Sequence, residues 1–120
     1  MLLYEDISNK ILGAYFAVLR NLTTGLLESV YENALCIELD EAGLSFERQI
    51  LLEVNYKGYK IGEFRADIVV ESKVIIELKS VGRLSSAHSA QLLNYLSITG
   101  YRVGYLLNFG EGRDYKRIVR

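Results

Sequence analysis

Proline and tryptophan are absent from this chain, and cysteine, methionine and histidine occur once each. A single cysteine cannot close an intramolecular disulfide. Cys36, set among Ala34, Leu35 and Ile37 on an expected helix, reads as a buried thiol behaving as a small hydrophobe. One cysteine and one histidine cannot build a zinc site, and His88 is the sole imidazole available to any serine or cysteine nucleophile, around which no recognisable motif stands. No run of about eighteen apolar residues exists, so no membrane span is expected. The segment Met1-Leu2-Leu3-Tyr4-Glu5-Asp6 carries early acids instead of a basic n-region, which argues against a signal peptide and makes a cytoplasmic location the expectation. Charge of one sign is also missing: 14 basic against 15 acidic residues leave a formal charge of −1, so any nucleic-acid site has to be local. Half the residues are hydrophobic and 24% are charged across 120 positions, which suits one compact domain over 1–120 and is too little for two cores.

The hydrophobic period divides the chain. Ile7, Ile11, Leu12, Tyr15, Val18 and Leu19 recur at spacings of three and four, predicting a helix from about Tyr4 to Arg20; a second is expected from about Leu26 to Glu41, with Gly43 as its stop. Alternation then takes over. Phe46–Val54 and Tyr59–Phe64 read as strands joined across Lys57-Gly58, and Arg65–Val70 and Val74–Lys79 as a further hairpin around Ser72. Ser85 or Ser86 can cap a third helix ending at Gly100, followed by strands over Tyr101–Asn108 and about Tyr115–Val119. The expected class is α/β in the order ααββββαββ, with a mixed sheet because the third helix is the crossover that a parallel pair requires.

The Ser72 hairpin is the most informative segment. A turn centred there pairs Val70 with Val74, Ile68 with Ile76 and Ala66 with Leu78 on one apolar face. The other face pairs Val69 with Ile75, Asp67 with Glu77 and Arg65 with Lys79. Opposed carboxylates repel, so an arrangement that gathers them calls for a cation between them, and a divalent metal is the obvious candidate.

Asp67, nine intervening residues and then Glu77-Leu78-Lys79 resemble the core signature of the PD-(D/E)xK nuclease superfamily, with Ala66 where the superfamily's name has proline. Gly25-Leu26-Leu27-Glu28-Ser29-Val30-Tyr31 upstream and the string from His88 to Leu96 downstream are similar to those of its GxxExxY family, and the resemblance runs from about Ile7 to Val119. It implies a restriction-endonuclease-like core and a Mg²⁺-dependent nuclease, Mn²⁺ being a substitute and DNA a more expected substrate than RNA. Asp67, Glu77 and the carbonyl of Leu78 would hold the cation, with Glu28 as a further ligand. Lys79 would activate the attacking water or stabilise the phosphate. Gln91 would orient water or phosphate, and Arg65, His88 and Tyr95 would contact substrate.

Plainer readings compete: Glu28 as a helix-dipole acid or a capping-box acid with Gly25, His88 as a cap, Glu77 and Lys79 as an exposed charge pair. The basic sets Arg48, Lys57, Lys60 and Arg102, Arg113, Lys116, Arg117, Arg120 could track a phosphate backbone or be solvated charge. So small a domain is expected to need a second copy or a partner protein to complete substrate binding. The competing class is a catalytically inactive binding or assembly module that retains the fold; the costly trio Asp67, Glu77 and Lys79 favours the enzyme.

Overall fold

A computed structural model describes residues 2–120. Helix α1 (Glu5–Asn21) buries Ile11, Ala14, Tyr15 and Val18, and its terminal charges, Glu5 and Asp6 at the start and Arg20 at the end, complement the helix dipole. Helix α2 (Glu28–Glu41) begins two residues later than expected, because Leu27 is extended, and buries Tyr31, Leu35, Cys36 and Leu39. Gly43 at φ 81° lies just past its end, the left-handed conformation that glycine adopts without a Cβ clash.

Strand β1 (Phe46–Tyr56) turns into β2 (Tyr59–Val70) through Lys57-Gly58, both at positive φ, the two-residue geometry that matches strand twist. The two strands expected at Tyr59–Phe64 and Arg65–Val70 are one. Glu63-Phe64-Arg65 contains no turn residue and β1 pairs along it, Leu52 with Phe64 and Leu51 with Arg65, so the order is ααβββαββ and not ααββββαββ. Strand β3 (Val74–Lys79) follows the Ser72 turn, with Glu71 and Ser72 both left-handed and Lys73 N–H donating to the Val70 carbonyl. Helix α3 (Ser86–Thr99) then crosses over to β4 (Val103–Asn108), which lies parallel to β3, and β5 (Tyr115–Val119) closes the sheet antiparallel. The strand order is β1-β2-β3-β4-β5, a mixed five-stranded sheet.

Helices α1 and α2 cover one face, burying Tyr15, Leu35 and Leu39 with Ile68, Val70, Ile76 and Leu78. Helix α3 covers the other with Leu92 and Leu96 against Val69, Ile75 and Leu106. Ala66 was expected beside Ile68 and Leu78 but packs with the α3 cluster, together with Phe64. Alternation along β2 therefore breaks at Asp67. Opposite it on β1 stands Gln49 at φ 49°, the one position between Arg48↔Ile68 and Ile50↔Ala66 without a ladder partner. No helix among the described residues is long and apolar enough to cross a membrane.

Candidate active site

The hairpin register holds as far as Val70↔Val74, Val69↔Ile75 and Ile68↔Ile76, and there the ladder stops. The expected backbone pairs Ala66–Leu78, Asp67–Glu77 and Arg65–Lys79 do not form, because β2 follows β1 while β3 follows β4 through Lys79↔Asn108. Where the strands part, the side chain of Asp67 replaces a backbone acceptor: Oδ2 accepts the Leu78 N–H at 2.8 Å. Arg65 pairs with Leu51 instead, and its guanidinium reaches the Gln49 carbonyl at 3.4 Å.

Glu77 sits in this opening, half-buried, and its buried Oε1 has no hydrogen-bond partner among the described residues. Burial, then repulsion from Asp67, pushes its carboxyl up to about 9, against a smaller opposing pull from Lys79. A buried oxygen without a donor, next to a second carboxylate, is the situation a hard divalent cation relieves, and the donors are the oxygens such ions prefer. The residues fit a cation. Lys79 is half-buried and makes no ion pair within 4.0 Å among the described residues, which leaves its ammonium available. Among the described residues no three acids or other ligand side chains converge as a ready-made metal cluster; Asp67 repels both Glu77 and Glu28 and raises the pKa of each.

Glu28 is held there by its own sequence neighbourhood. Gly25 takes φ 88°. The buried Tyr31 hydroxyl donates to the Thr23 carbonyl and accepts the Leu26 N–H at 3.1 Å, while its ring stacks on Phe109 at 5.0 Å. The loop leading into α2 is thereby tied down, and Glu28 opens the helix. No side-chain cap bond forms at this terminus, so the capping-box alternative for Glu28 is not realised. Burial raises its pKa, Asp67 and Glu32 add to the rise and Lys79 opposes it, which places the four groups in one field. Tyr31→Phe is expected to leave the Leu26 and Thr23 groups unpaired and lower stability by about 1–3 kcal/mol in thermal unfolding; an unchanged melting temperature would remove this role.

Glu32, one turn on, has a different task. Arg48 donates to its Oε2 from two nitrogens at 2.8 and 3.1 Å, and Gln49 Nε2 donates to Oε1 at 2.8 Å. This clamp fastens α2 to β1 at the position facing Asp67. Arg48 is therefore an ion-pair partner rather than a free member of a phosphate-tracking set, and nothing in the sequence pattern couples residues 32 and 48. Arg113 likewise spends its guanidinium on the Leu19 and Leu22 carbonyls at the end of α1, and Arg117 on Leu3.

The chain leaving Lys79 is held by Asn108, which is fully buried. Its Oδ1 accepts from Val81 and Gly110 N–H, and its Nδ2 donates to the Val81 carbonyl and Asp114. Gly110 packs so closely on this loop that a Cβ would stand 2.1 Å from the Val81 oxygen, so no other residue fits without moving backbone. An open groove of about 310 Å³ runs between this loop and the one before α2, lined by Thr24, Gly25, Ser80 and Glu111 among others.

The residues expected on α3 are placed less centrally. His88 completes a capping box with Ser85: its Nδ1 accepts the Ser85 N–H at 3.0 Å while Ser85 Oγ accepts the His88 N–H. Tyr95 stacks on Phe64 with ring centroids 3.7 Å apart. Gln91 is exposed and makes no hydrogen bond among the described residues, and α3 packs chiefly on β4, β5 and β1.

The family model described as "PD-(D/E)XK nuclease superfamily" matches residues 5–120. The solved structure titled "Crystal structure of SSO0001" is similar at a TM-score of 0.59 and 24% identity, over 78% of this chain and 50% of that one. The chain thus spans about half the length of that protein, and the likeness is one of fold. No curated protein matches.

Proposed function

The chain belongs to the PD-(D/E)XK nuclease superfamily, and from that premise we propose that it is a divalent-cation-dependent nuclease hydrolysing phosphodiester bonds, with Mg²⁺ as the cation and DNA as the substrate. The Gly25, Glu28 and Tyr31 string supports placing it in the GxxExxY family. One observation carries the reading: half-buried Glu77, whose buried Oε1 has no partner among the described residues, sits beside Asp67 and two residues from Lys79, whose ammonium pairs with no acid within 4.0 Å among the described residues.

Asp67, Glu77 and the Leu78 carbonyl would hold the cation, with Glu28 as a further ligand. Bound there, such an ion would supply positive charge to the phosphate as negative charge builds on its oxygens. Lys79 adds to that stabilisation from the protein side and orients the water that attacks phosphorus. Water adds across the P–O bond, one fragment leaving with the phosphate and the other as an alcohol. Arg65, exposed at the rim, would take a neighbouring phosphate; Gln91, His88 and Tyr95 are assigned to substrate along the adjoining face of α3.

The test is cleavage of labelled single- and double-stranded DNA and RNA with Mg²⁺, Mn²⁺ or a chelator. Cation-dependent cutting, best on DNA, is the expected result. Binding without cutting under every cation would replace the enzyme by the inactive-module reading.

A further inference from the structure

Beyond Ile50 and Ala66 the β1–β2 hairpin has no third strand, since β3 joins β2 only at Ile68, Val69 and Val70. It projects as a two-stranded ribbon on a molecule 47 Å long and less than 30 Å across its other axes. Two strands alone are marginally stable in water, and this ribbon nevertheless presents large side chains at its tip. Tyr56 is 61% exposed and Tyr59 is 76% exposed, and they are cross-strand partners flanking the Lys57-Gly58 turn. Lys57 Nζ lies over the Tyr56 ring, 5.5 Å from its centroid. Lys60 is ion-paired with Glu63 at 2.6 Å, and Glu53 stands across from Glu63, so Lys57 is the cation at the tip without an acid partner among the described residues.

Alternation along β1 sets Tyr56 on the face that carries Ile50 and Leu52, which pack with the α3 cluster. Alternation along β3 sets Glu77 on the side of Ile75, a member of the same cluster. The tyrosine pair and Glu77 therefore open toward one side of the sheet. Between the tip and the buried Phe64, Gly62 leaves open space where a side chain would stand.

We propose that the β1–β2 hairpin tip is a nucleic-acid contact of this nuclease, in which Tyr56 and Tyr59 stack on bases and Lys57 meets the backbone at a distance from the cut. Flat exposed rings accept any base, and a cation held beside a ring suits a base with its phosphate. A second copy of the chain is a poorer occupant, because a two-fold contact of tip on tip would set Lys57, which has no acid partner among the described residues, against its own copy. The inference rests on the nuclease reading for where the strand begins. Tyr59 and Asp67 are eight residues apart on one strand, with Ile61 left outside the ladder where the register shifts, so the span is at most about 27 Å at the rise of an extended chain. At 3.4 Å per nucleotide of helical strand this spans at most about eight nucleotides.

Binding of fluorescent oligonucleotides of about 6 and about 24 nucleotides, shorter and longer than that span, is measured in chelator so that nothing is cut. The full chain is compared with the double variant Tyr56→Ala, Tyr59→Ala and with Tyr56→Phe, Tyr59→Phe. The alanine pair is expected to bind the longer strand roughly tenfold or more weakly and the shorter one within about twofold, while the phenylalanine pair keeps wild-type affinity. Equal affinity at both lengths, or an equal loss at both, overturns the proposal. So does a double variant that loses self-association in sedimentation velocity with nucleic-acid affinity unchanged, which would make the tip an interface between copies. Cation-dependent cutting is scored separately with Lys79→Ala. Wild-type cutting with tyrosine-independent binding sinks the hairpin alone, whereas tyrosine- and length-dependent binding with no cutting sinks the nuclease and keeps the hairpin.

Discussion

Lys79→Ala is expected to lower the single-turnover cleavage rate by about 10²- to 10³-fold, the scale of losing one preorganised charge-stabilising group from a phosphoryl or acyl transition state. The side chain is half-buried, unpaired among the described residues, and close enough to Glu28 and Glu77 to oppose part of the rise that burial and Asp67 impose on both their pKa values. Two other cations on these strands are engaged elsewhere: Arg48 is committed to Glu32, and Arg65 reaches toward the Gln49 carbonyl. Substrate affinity should fall far less than the rate, and the melting temperature should move by only a few degrees, because no hydrogen bond is lost. Cleavage by the variant at the wild-type rate would remove Lys79 from the chemistry.

Glu77→Gln is expected to raise stability in chelator at about pH 8 while abolishing cutting. An unfolded glutamate titrates near 4.5, and burial beside Asp67 lifts the folded value to about 9. Between those values the folded state binds the extra proton, so the cation-free protein is favoured at low pH and loses stability as pH rises from about 5 toward 9, by at most about 1.4 kcal/mol per unit. Glutamine keeps the shape, carries no charge and can donate to Asp67. At about pH 8 the gain should be on the order of 2 kcal/mol, since solvent and relaxation blunt the ceiling. In a domain of this size that moves the melting temperature upward by several degrees. The wild type should catch up when Mg²⁺ or Mn²⁺ is added, and the variant should not respond. A variant less stable than wild type in chelator at about pH 8 would contradict the raised Glu77 pKa that burial beside Asp67 imposes.

Much of this site is legible without coordinates, and the parts that are not have identifiable causes. The Val70–Val74, Val69–Ile75 and Ile68–Ile76 pairs follow from alternation and a polar three-residue turn, both local properties. Alternation fails at Asp67 because β1 carries Gln49 in a left-handed conformation opposite it, and no residue type announces that. The parting of β2 from β3 depends on β4, whose parallel docking is set by residues more than twenty positions further on. Glu28 is marked by its neighbours Gly25 and Tyr31, but Glu32 is disguised: it shares Glu28's helical face and differs only in meeting Arg48 and Gln49 across space. His88 illustrates the reverse case, where a short-range pattern, Ser85 followed three residues later by a side chain able to accept, outranks the more ambitious role. Asn108 gives no hint at all, since its value lies in the loop it meets and not in its own strand.

The bond from Leu78 N–H to Asp67 has a thermodynamic consequence. A carboxylate free to rotate would surrender its torsional freedom when an ion arrived, a cost of about 0.5–1.5 kcal/mol for one side chain. Here Asp67 gives up that freedom when the sheet forms, as one rung of the sheet. The orientation entropy is lost in folding, so an ion held as proposed would meet a ligand already aimed.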